Sequence, residues 1–366
     1  MLYIGIDQHS KQITVSVREE SGNVILRRQV STRWEKINAF LEEMKGRLEA
    51  HGSATAVVEV CGFNHWLLER LKAAGWQTLV VQPERSASHK TDRRDANALS
   101  EVLWVNRERV RQGLPVRGLR QIQVPGAQDQ DDRRLTSLRH SVGRELTRTV
   151  NRIKAILRRH NLEQECPTKG LLTRKGVQWL GGLALCSVER VELDQQLARL
   201  HLLRDQLRHL QMEVEQRYEF NPGAQRLATI PGAAAYSALG LVSRVGDVRR
   251  FRGPRSLANY WGLTPGCRNS GEATDRLGSI TKEGSPLARF LLGQLVMHVL
   301  RKDPEMRFWY RRIKRRRGAK IGRVAVMRRL ATIVWHMLSK DEDYVVGGPP
   351  RRRLQKTEPM PQEDRS

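Results

Sequence analysis

The sequence is poor in the residues that mark several protein classes. Only four of its 366 residues are cysteines, no two of them form a CxxC pair, and none lies near a histidine at zinc-ligand spacing. A disulfide framework and a structural zinc site are therefore not expected, and a reducing compartment fits. These four residues are Cys61, Cys166, Cys186 and Cys267.

Long apolar runs are also missing. No stretch approaches the roughly 20 apolar residues that span a bilayer. The start of the chain, Met1 to Asp7, leads directly into a predicted strand and lacks the basic and apolar regions of a signal peptide. We therefore expect a soluble cytoplasmic protein that makes no membrane contact.

Acidic residues are scarce relative to basic ones, with 39 Asp and Glu against 65 Lys and Arg, a formal net charge of +26. A compact chain with this charge repels itself unless a polyanion neutralises it. Nucleic acid is the first candidate because phosphate contacts release counterions, and much of the charge is Arg, which suits bidentate phosphate contacts. A basic surface kept for solubility is the alternative.

The first hundred residues read as α/β. Short apolar or alternating runs predict strands, and periodic stretches ended by glycine or proline predict helices. The resulting order is three strands and then helix, strand, helix, strand, helix. This order predicts a ribonuclease-H-like sheet and not the regular alternation of a Rossmann fold. The predicted strands are 2–7, 13–17, 23–30, 54–60 and 77–81, and the predicted helices are 32–48, 66–74 and 92–105.

The remainder of the chain reads as mainly helical. Two long amphipathic patterns, Leu135 to Leu157 and Leu193 to Val214, predict helices of coiled-coil character. Further helices are predicted over 228–242, 286–301 and 323–340, with the basic run 311–317 between the last two. The predicted organisation is an α/β domain at 1–110, a linker at 111–132, a coiled-coil region at 133–220, a mainly helical domain at 221–345 and a disordered tail at 346–366. Arg144, Arg148 and Arg152, spaced by four, form a basic stripe that is either a solvated face or a track for phosphates.

Four acids form the candidate catalytic group. Asp7 and Glu59 lie in strands that are otherwise apolar, where an acid is costly unless it is paired or binds a cation. Asp92 and Asp95, three residues apart, share one face of a helix's first turn. Clusters of oxygen ligands bind Mg²⁺ or Mn²⁺, and two such ions about 3.5–4 Å apart support phosphodiester transfer. The alternatives are a helix N-terminus satisfied by acids and a residue at a strand edge.

The sequence resembles a known family, the DEDD transposases of insertion sequences, which include the Piv-type invertases. The resemblance covers about residues 2 to 340. In the first half, the matching residues are Gly5-Ile6-Asp7, Glu59 and Lys90-Thr91-Asp92-Arg93-Arg94-Asp95-Ala96. In the second half, they are Ile230-Pro231-Gly232, Gly246-Asp247-Val248 with Arg250-Phe251, Gly262-Leu263-Thr264-Pro265, Ser270-Gly271, Gly278-Ser279-Ile280-Thr281-Lys282 and Gly284-Ser285-Pro286-Leu287.

This resemblance implies a RuvC-like first domain whose tetrad holds divalent metal, and a second catalytic domain whose serine attacks DNA. The serine maps onto Ser270. The resemblance also implies donor and target DNA as partners, a structured guide RNA, and a homo-oligomer between dimer and tetramer in the bacterial nucleoid. Lys90, Arg93, Arg94 and Lys282, together with the stripe of three arginines, are the predicted nucleic-acid contacts.

Local chemistry supports Ser270 less strongly than the resemblance does, because a serine nucleophile needs a base or a metal and no histidine lies nearby in sequence. The sequence also departs from the family at two places. Gly232-Ala233-Ala234-Ala235 replaces a Gly-Ile-Gly hairpin, and Arg289 lies one place beyond the family's arginine. Both departures put the corresponding family roles in doubt.

Three other functions fit parts of the pattern. The tetrad could act alone on water, as in a junction nuclease. The basic helices could serve a non-catalytic nucleic-acid-binding scaffold. An actin-like ATPase shares the strand order, but Asp7-Gln8-His9-Ser10 is too poor in glycine for its phosphate loop.

Overall fold

The computed structural model describes residues 1–62, 64–82, 92–267 and 277–348, and for 92–94, 267 and 277 it describes the backbone alone. The chain divides into two units, Met1–Val124 and Pro125–Ser366. Each unit has its own hydrophobic core.

The first unit is built around one sheet. Its strands are β1 (Leu2–Gln8), β2 (Gln12–Arg18), β3 (Val24–Ser31), β4 (Ala54–Glu59), β5 (Gln77–Gln82) and β6 (Arg120–Ile122). Its helices are α1 (Trp34–His51), α2 (His65–Ala73), α3 (Asp92–Val105) and α4 (Arg107–Arg111). The predicted order of strands and helices is confirmed.

The strand order in this sheet is β3-β2-β1-β4-β5-β6. The first three strands form an antiparallel meander, β4 and β5 continue it in parallel with β1, and β6 is antiparallel to β5. β1 is buried along its whole length. It is therefore the central strand that the apolar run from Leu2 predicts.

Helices cover both faces of the sheet. Because side chains alternate along a strand, β1 directs Leu2, Ile4 and Ile6 into a core that α1 and α2 complete. Tyr3 points the other way, into a smaller core with Leu99 and Leu103 of α3. Asp7 has the parity of Tyr3 and lies on the α3 face.

The segment 111–132, predicted as a linker, continues the first unit and starts the second. Its β6 pairs with β5, with Ile122 opposite Val80. Gly113 and Gly118, which suggested a linker, adopt positive φ in the turns that lead to this edge strand. The first long helix already begins at Ala127.

The second unit is mostly helical. Its helices are α5 (Ala127–Arg159), α6 (Arg174–Gly181), α7 (Ser187–Glu219), α8 (Pro222–Ala228), α9 (Ala235–Val245), α10 (Pro254–Tyr260), α11 (Pro286–Lys302) and α12 (Pro304–Lys340). A two-stranded hairpin, β7 (Pro265–Cys267) and β8 (Leu277–Ile280), lies between α10 and α11.

α5 and α7 are the two long helices that the apolar repeats predict, and they run antiparallel. Arg217 bonds to Asp132 at 2.9 Å near one end, and Arg159 bonds to Glu192 at 2.6 Å near the other. Buried side chains join them between these pairs. Leu138 belongs to the predicted apolar repeat but is 53% exposed, so the repeat overstates the buried face of α5.

Two predicted helix boundaries differ from the structure. The sequence predicts one helix over 228–242, but the chain turns between α8 and α9, where Gly232 has φ +86° and a Cβ would lie 2.3 Å from His298 Cβ. Pro231 removes a backbone donor at the same place. The basic run 311–317, predicted between helices, lies inside α12 before a break at Gly318.

Among the helices in the described ranges, none combines the length and the apolar character that crossing a bilayer requires.

Candidate active site

The acid site consists of the four predicted acids Asp7, Glu59, Asp92 and Asp95. Asp7 lies near the end of β1, and Glu59 is the last residue of β4. These strands are parallel neighbours whose register pairs Ile6 with Val58, so each acid is the next residue along its strand. The structure therefore brings the two strand acids to one edge of the sheet, on the α3 face.

α3, the helix that holds Asp95, packs closely against β1 on the same face of the sheet. A Cβ at Gly5 would lie 2.1 Å from the Ala96 carbonyl oxygen and 2.5 Å from the Ser100 nitrogen, so only glycine permits this approach. Asp95 precedes Ala96 and is partly buried. Asp92 begins α3, but its side chain, like those of Arg93 and Arg94, lies outside the described residues, as does Lys90 entirely.

Asp7 is buried and accepts a hydrogen bond from, or pairs with, the Nε2 atom of His9 at 3.2 Å. His9 follows β1 directly. The sequence favours a loop histidine at this position, and the structure adds that it contacts the first acid. Thr14 stands opposite Asp7 in β2 and its Oγ1 is buried with no hydrogen-bond partner among the described residues.

A polar network beside the acids was missed by sequence reasoning. Asn97 Oδ1 accepts hydrogen bonds from Arg18 Nη2 at 3.1 Å and Arg27 Nη2 at 3.0 Å, and Arg18 Nε donates to Ser100 Oγ at 3.2 Å. The available signal was the spacing of Asn97 and Ser100, which puts both on one face of α3.

This network borders a cleft of about 380 Å³, whose lining includes Thr14, the β2 partner of Asp7, and Ala96, which follows Asp95. Residues of β2, β3 and α3 line it, and its charged members are basic. They are Thr14, Val15, Ser16, Arg27, Arg28, Gln29, Ala96 and Asn97. The cleft therefore presents guanidinium and hydroxyl groups, the kinds of side chain that contact phosphates.

The acid site has the donor chemistry of a hard divalent cation, because all four side chains offer carboxylate oxygens. Among the side chains that the structure describes, which exclude Asp92, no three His, Cys, Asp or Glu residues are grouped closely enough to hold a metal. The donor type fits Mg²⁺ or Mn²⁺.

The serine hairpin is the name we give to β7, β8 and the residues between them. Ser270 belongs to 268–276, outside the described residues. The base of the hairpin is held by two glycines with positive φ. A Cβ at Gly262 would lie 2.2 Å from the Glu283 carbonyl oxygen, and one at Gly284 would lie 1.9 Å from the Tyr260 carbonyl oxygen.

Arg289 also holds together the two chain segments at the base of the serine hairpin. Its Nη1 donates to the carbonyl oxygens of Glu283 at 2.7 Å and Trp261 at 3.0 Å, and burial lowers the pKa of its guanidinium. The sequence put a functional role for Arg289 in doubt because of its shifted position. In the structure it joins the two chain segments that enter and leave the serine hairpin.

The predicted phosphate contacts on α5 lie on its surface. Arg144, Arg148 and Arg152 are exposed, and Arg148 is paired with Glu145. Lys282 is also exposed and has φ +57° beside the base of the serine hairpin. The stripe of three arginines is thus accessible, with one charge partly offset.

Comparison with known proteins gives consistent matches over both units. A transposase model of the DEDD IS110 type matches residues 4–162, and the model of the "Transposase IS116/IS110/IS902 family" matches residues 224–311. The first match contains the acid site, and the second contains the serine hairpin.

Curated proteins of similar length also match. The transposase for insertion sequence element IS1111A of Coxiella burnetii is 28% identical over 80% of this chain and 79% of its own length. A probable family 20 transposase of Pseudomonas aeruginosa is 24% identical over 94% and 98%. The transposase for IS1328 of Yersinia enterocolitica is 24% identical over 91% and 95%.

Proposed function

Because the chain belongs to the DEDD-type insertion-sequence transposase family, we propose that it cuts and rejoins DNA strands, with divalent metal at the acid site and Ser270 as nucleophile. The observation that carries this proposal is the meeting of Asp7 and Glu59 at one sheet edge, under the helix that holds Asp95.

A RuvC-like, ribonuclease-H-like fold for the first unit is part of the proposal. The antiparallel meander β1-β2-β3, extended in parallel by β4 and β5, supports it. So does the position of α3, whose Ala96 and Ser100 backbone closely approaches Gly5 of the central strand. In such a site the first acid lies on β1, as Asp7 does.

The residues that would hold the metal are Asp7, Glu59, Asp92 and Asp95. A bound divalent ion would stabilise negative charge on the oxygens of the scissile phosphate. The carboxylates would position that ion, and the contact between His9 Nε2 and Asp7 Oδ2 would restrict the rotamer of one carboxylate. Arg27 and Asn97 border the adjoining cleft and would align the phosphate backbone with the acids.

Ser270 would supply the covalent step. Its Oγ attacks the phosphorus, the serine–phosphate bond forms, and the bond from phosphorus to the departing deoxyribose oxygen breaks. The serine proton ends on solvent, and the released strand gains a hydroxyl. A hydroxyl of the new strand then displaces the serine, so bond energy is conserved and no nucleotide triphosphate is needed.

The acid site and the serine hairpin would each form half of the active site. The two halves would come from neighbouring subunits of a homo-oligomer, between dimer and tetramer. Apolar side chains on the face of α7 opposite α5 support self-association through this helix pair, since exposed apolar faces commonly become interfaces. They are Val188 (76% exposed), Val191 (61%), Leu202 (58%) and Met212 (60%).

Nucleic-acid contacts would come from the predicted basic residues. Arg144, Arg148, Arg152 and Lys282 are exposed, and Lys90, Arg93 and Arg94 flank the helical acids in sequence. The net charge of +26 suits both DNA and a structured guide RNA.

The test is an adduct assay with labelled donor and target DNA, co-purified nucleic acid and Mg²⁺. Wild-type protein is expected to give a protein–DNA adduct that survives denaturation. Ser270→Ala should abolish it, whereas Ser279→Ala, which removes an exposed hydroxyl from β8, should preserve it. Asp7→Asn should abolish both adduct and cleavage, with Glu49→Gln as the matched control on the exposed face of α1.

Three results would contradict the proposal. Metal-dependent nicking that persists in Ser270→Ala without any adduct would identify a junction nuclease. Normal element mobility in both Ser270→Ala and Asp7→Asn would identify a scaffold. An adduct in Ser270→Ala would place the nucleophile elsewhere.

A further inference from the structure

A basic cleft with an aromatic wall lies in the second unit, between α5, α9 and α11. It consists of two cavities of about 610 and 580 Å³, which share His140, Arg144 and Phe290 in their linings. Among the residues that the structure describes, no Asp or Glu lines either cavity. Volumes of this size lie within the range of small-ligand sites.

The first cavity, the larger one, is walled by rings. Phe290 is 43% exposed, and its ring centroid lies 4.5 Å from that of His140. Burial, with the charges of Arg144 and Arg244, lowers the pKa of His140, so its ring is neutral at physiological pH. Arg139 and Tyr236 line the same cavity, and the Arg139 guanidinium stacks over the Tyr236 ring at 3.9 Å from its centroid. An exposed ring with positive charge nearby is the kind of platform on which unstacked bases bind.

The second cavity contains a buried positive charge. Arg244 is 6% exposed, and its guanidinium donates to Thr136 Oγ1 at 2.9 Å, Ser137 Oγ at 2.8 Å and the Gly240 carbonyl oxygen at 2.9 Å. All these acceptors are neutral, and no described carboxylate bonds to it. Burial lowers the pKa of Arg244 to about 10. A buried charge without a counter-charge is costly, and a bound anion would offset that cost.

The start of α11 adds to the positive potential in the second cavity. Ser285 caps the helix by accepting a hydrogen bond from Ala288 N at 3.2 Å, and Pro286 occupies the first turn. Ser285, Pro286 and Arg244 line the same cavity. The N-terminus of a 17-residue helix carries partial positive charge. Three sources of positive potential, Arg144, Arg244 and the helix end, thus meet there.

We propose that this cleft holds one unpaired nucleotide of a bound polynucleotide. The base stacks on Phe290 and His140 in the first cavity, and its phosphate lies in the second cavity beside Arg144, Arg244 and the start of α11. A base inside a duplex has no free face for such a platform, so the site selects unpaired strands. The inference rests on the proposed function only in that the chain binds polynucleotides.

The test measures strand binding in EDTA, where no metal-dependent step occurs. Single-stranded DNA, single-stranded RNA of the same sequence and duplex DNA are titrated by fluorescence anisotropy against the full chain. Phe290→Ala should weaken binding of at least one single strand by about five- to a hundredfold, the range expected for one lost stack. Phe290→Trp should restore it, and duplex binding should not change.

Phe308→Ala is the matched control, because it removes a ring that is 72% exposed on α12, outside both cavities. A loss confined to RNA or to DNA identifies the strand that fills the site. Equal loss with Phe308→Ala, or equal loss on duplex, would overturn the proposal. So would a photo-crosslink from a 5-iodouracil strand that maps away from the residues lining the two cavities. Cleavage that fails while this binding persists would count against the proposed function alone.

Discussion

The acid site and the serine hairpin are supported in opposite ways. The acids lie on central strands and on a helix packed against them, so the core of the first unit fixes their backbone. The serine hairpin belongs to the second unit. Its described residues are held by the pairing of β7 with β8, by the packing of Ile280 on the core, and by the close approaches at Gly262 and Gly284. The acid site is thus held by a whole sheet, whereas the described part of the serine hairpin is held at its base.

This difference predicts where damage to each half-site should originate. A change in the packing of α3 on β1 should disturb the acids together with the fold of the first unit. A change at the base of the serine hairpin should disturb Ser270 while the helical core persists.

The largest loss of stability is expected from Gly5→Ala. The added Cβ would lie 2.1 Å from the Ala96 carbonyl oxygen, which belongs to helix backbone and cannot move alone. Overpacking of this kind typically costs about 1–3 kcal/mol, occasionally more, and we expect the upper end. Urea denaturation with hydrogen exchange at β1 measures it.

Gly46→Ala is the control for this change, because a Cβ there meets nothing within 4 Å in α1. Replacing glycine by alanine inside a helix is expected to stabilise it by about 1 kcal/mol. An unchanged free energy of unfolding in Gly5→Ala would show that α3 does not depend on this contact.

An intermediate effect is expected from Arg289→Ala. The carbonyl oxygens of Trp261 and Glu283 would lose their donor, at a cost of about 1–3 kcal/mol when such groups stay dry. Hydrogen exchange should speed up at Thr281 N, which bonds to Thr264 O at 3.0 Å at the hairpin base.

Arg301→Ala, an exposed change on the same helix, controls for the loss of charge. Strand joining should fall in Arg289→Ala and persist in Arg301→Ala. If Thr281 exchange is the same in both variants, Arg289 does not fasten the serine hairpin.

The smallest expected effect is a dependence of stability on pH through His140. The folded pKa of His140 is lowered by burial and by the nearby Arg144 and Arg244. Below the ordinary histidine pKa of about 6.5, the unfolded chain binds more protons than the folded one. Stability should therefore be complete above that pH and be lost as pH falls toward the folded pKa.

The melting temperature of wild type should thus fall between pH 7 and pH 5 by more than that of His140→Gln. His160→Gln is a suitable comparison, since His160 lies on the surface, where its Nε2 atom is 2.5 Å from Glu189 Oε2. Identical pH profiles for wild type and His140→Gln would remove His140 from this linkage.

The sequence predicts those strands and helices whose apolar periodicity agrees with their burial in the structure. Strands β1 to β5 and the long helices α5 and α7 follow from alternating or three-four apolar spacing, and the acids at the ends of β1 and β4 were visible as charges in apolar runs. Their convergence on one edge follows from parallel register, which the sequence suggests only through the order of elements.

Other features could not be read from the sequence because they depend on contacts distant along the chain. Arg18 and Arg27 meet Asn97 some 70 to 80 residues away. Arg244 is buried against α5, more than 100 residues earlier. An arginine in a sequence looks exposed unless the helix that covers it is known.

The crossing at Gly262 and Gly284 has a consequence for how this region tolerates change in length. The chain enters and leaves the serine hairpin at one closed point, so residues added between Cys267 and Leu277 need not alter the helices beneath. Closing a loop of twice the length costs only about 0.6 kcal/mol more. Insertions and deletions in relatives should therefore accumulate above this crossing, while the spacing from Gly262 to the hairpin and from the hairpin to Gly284 stays constant.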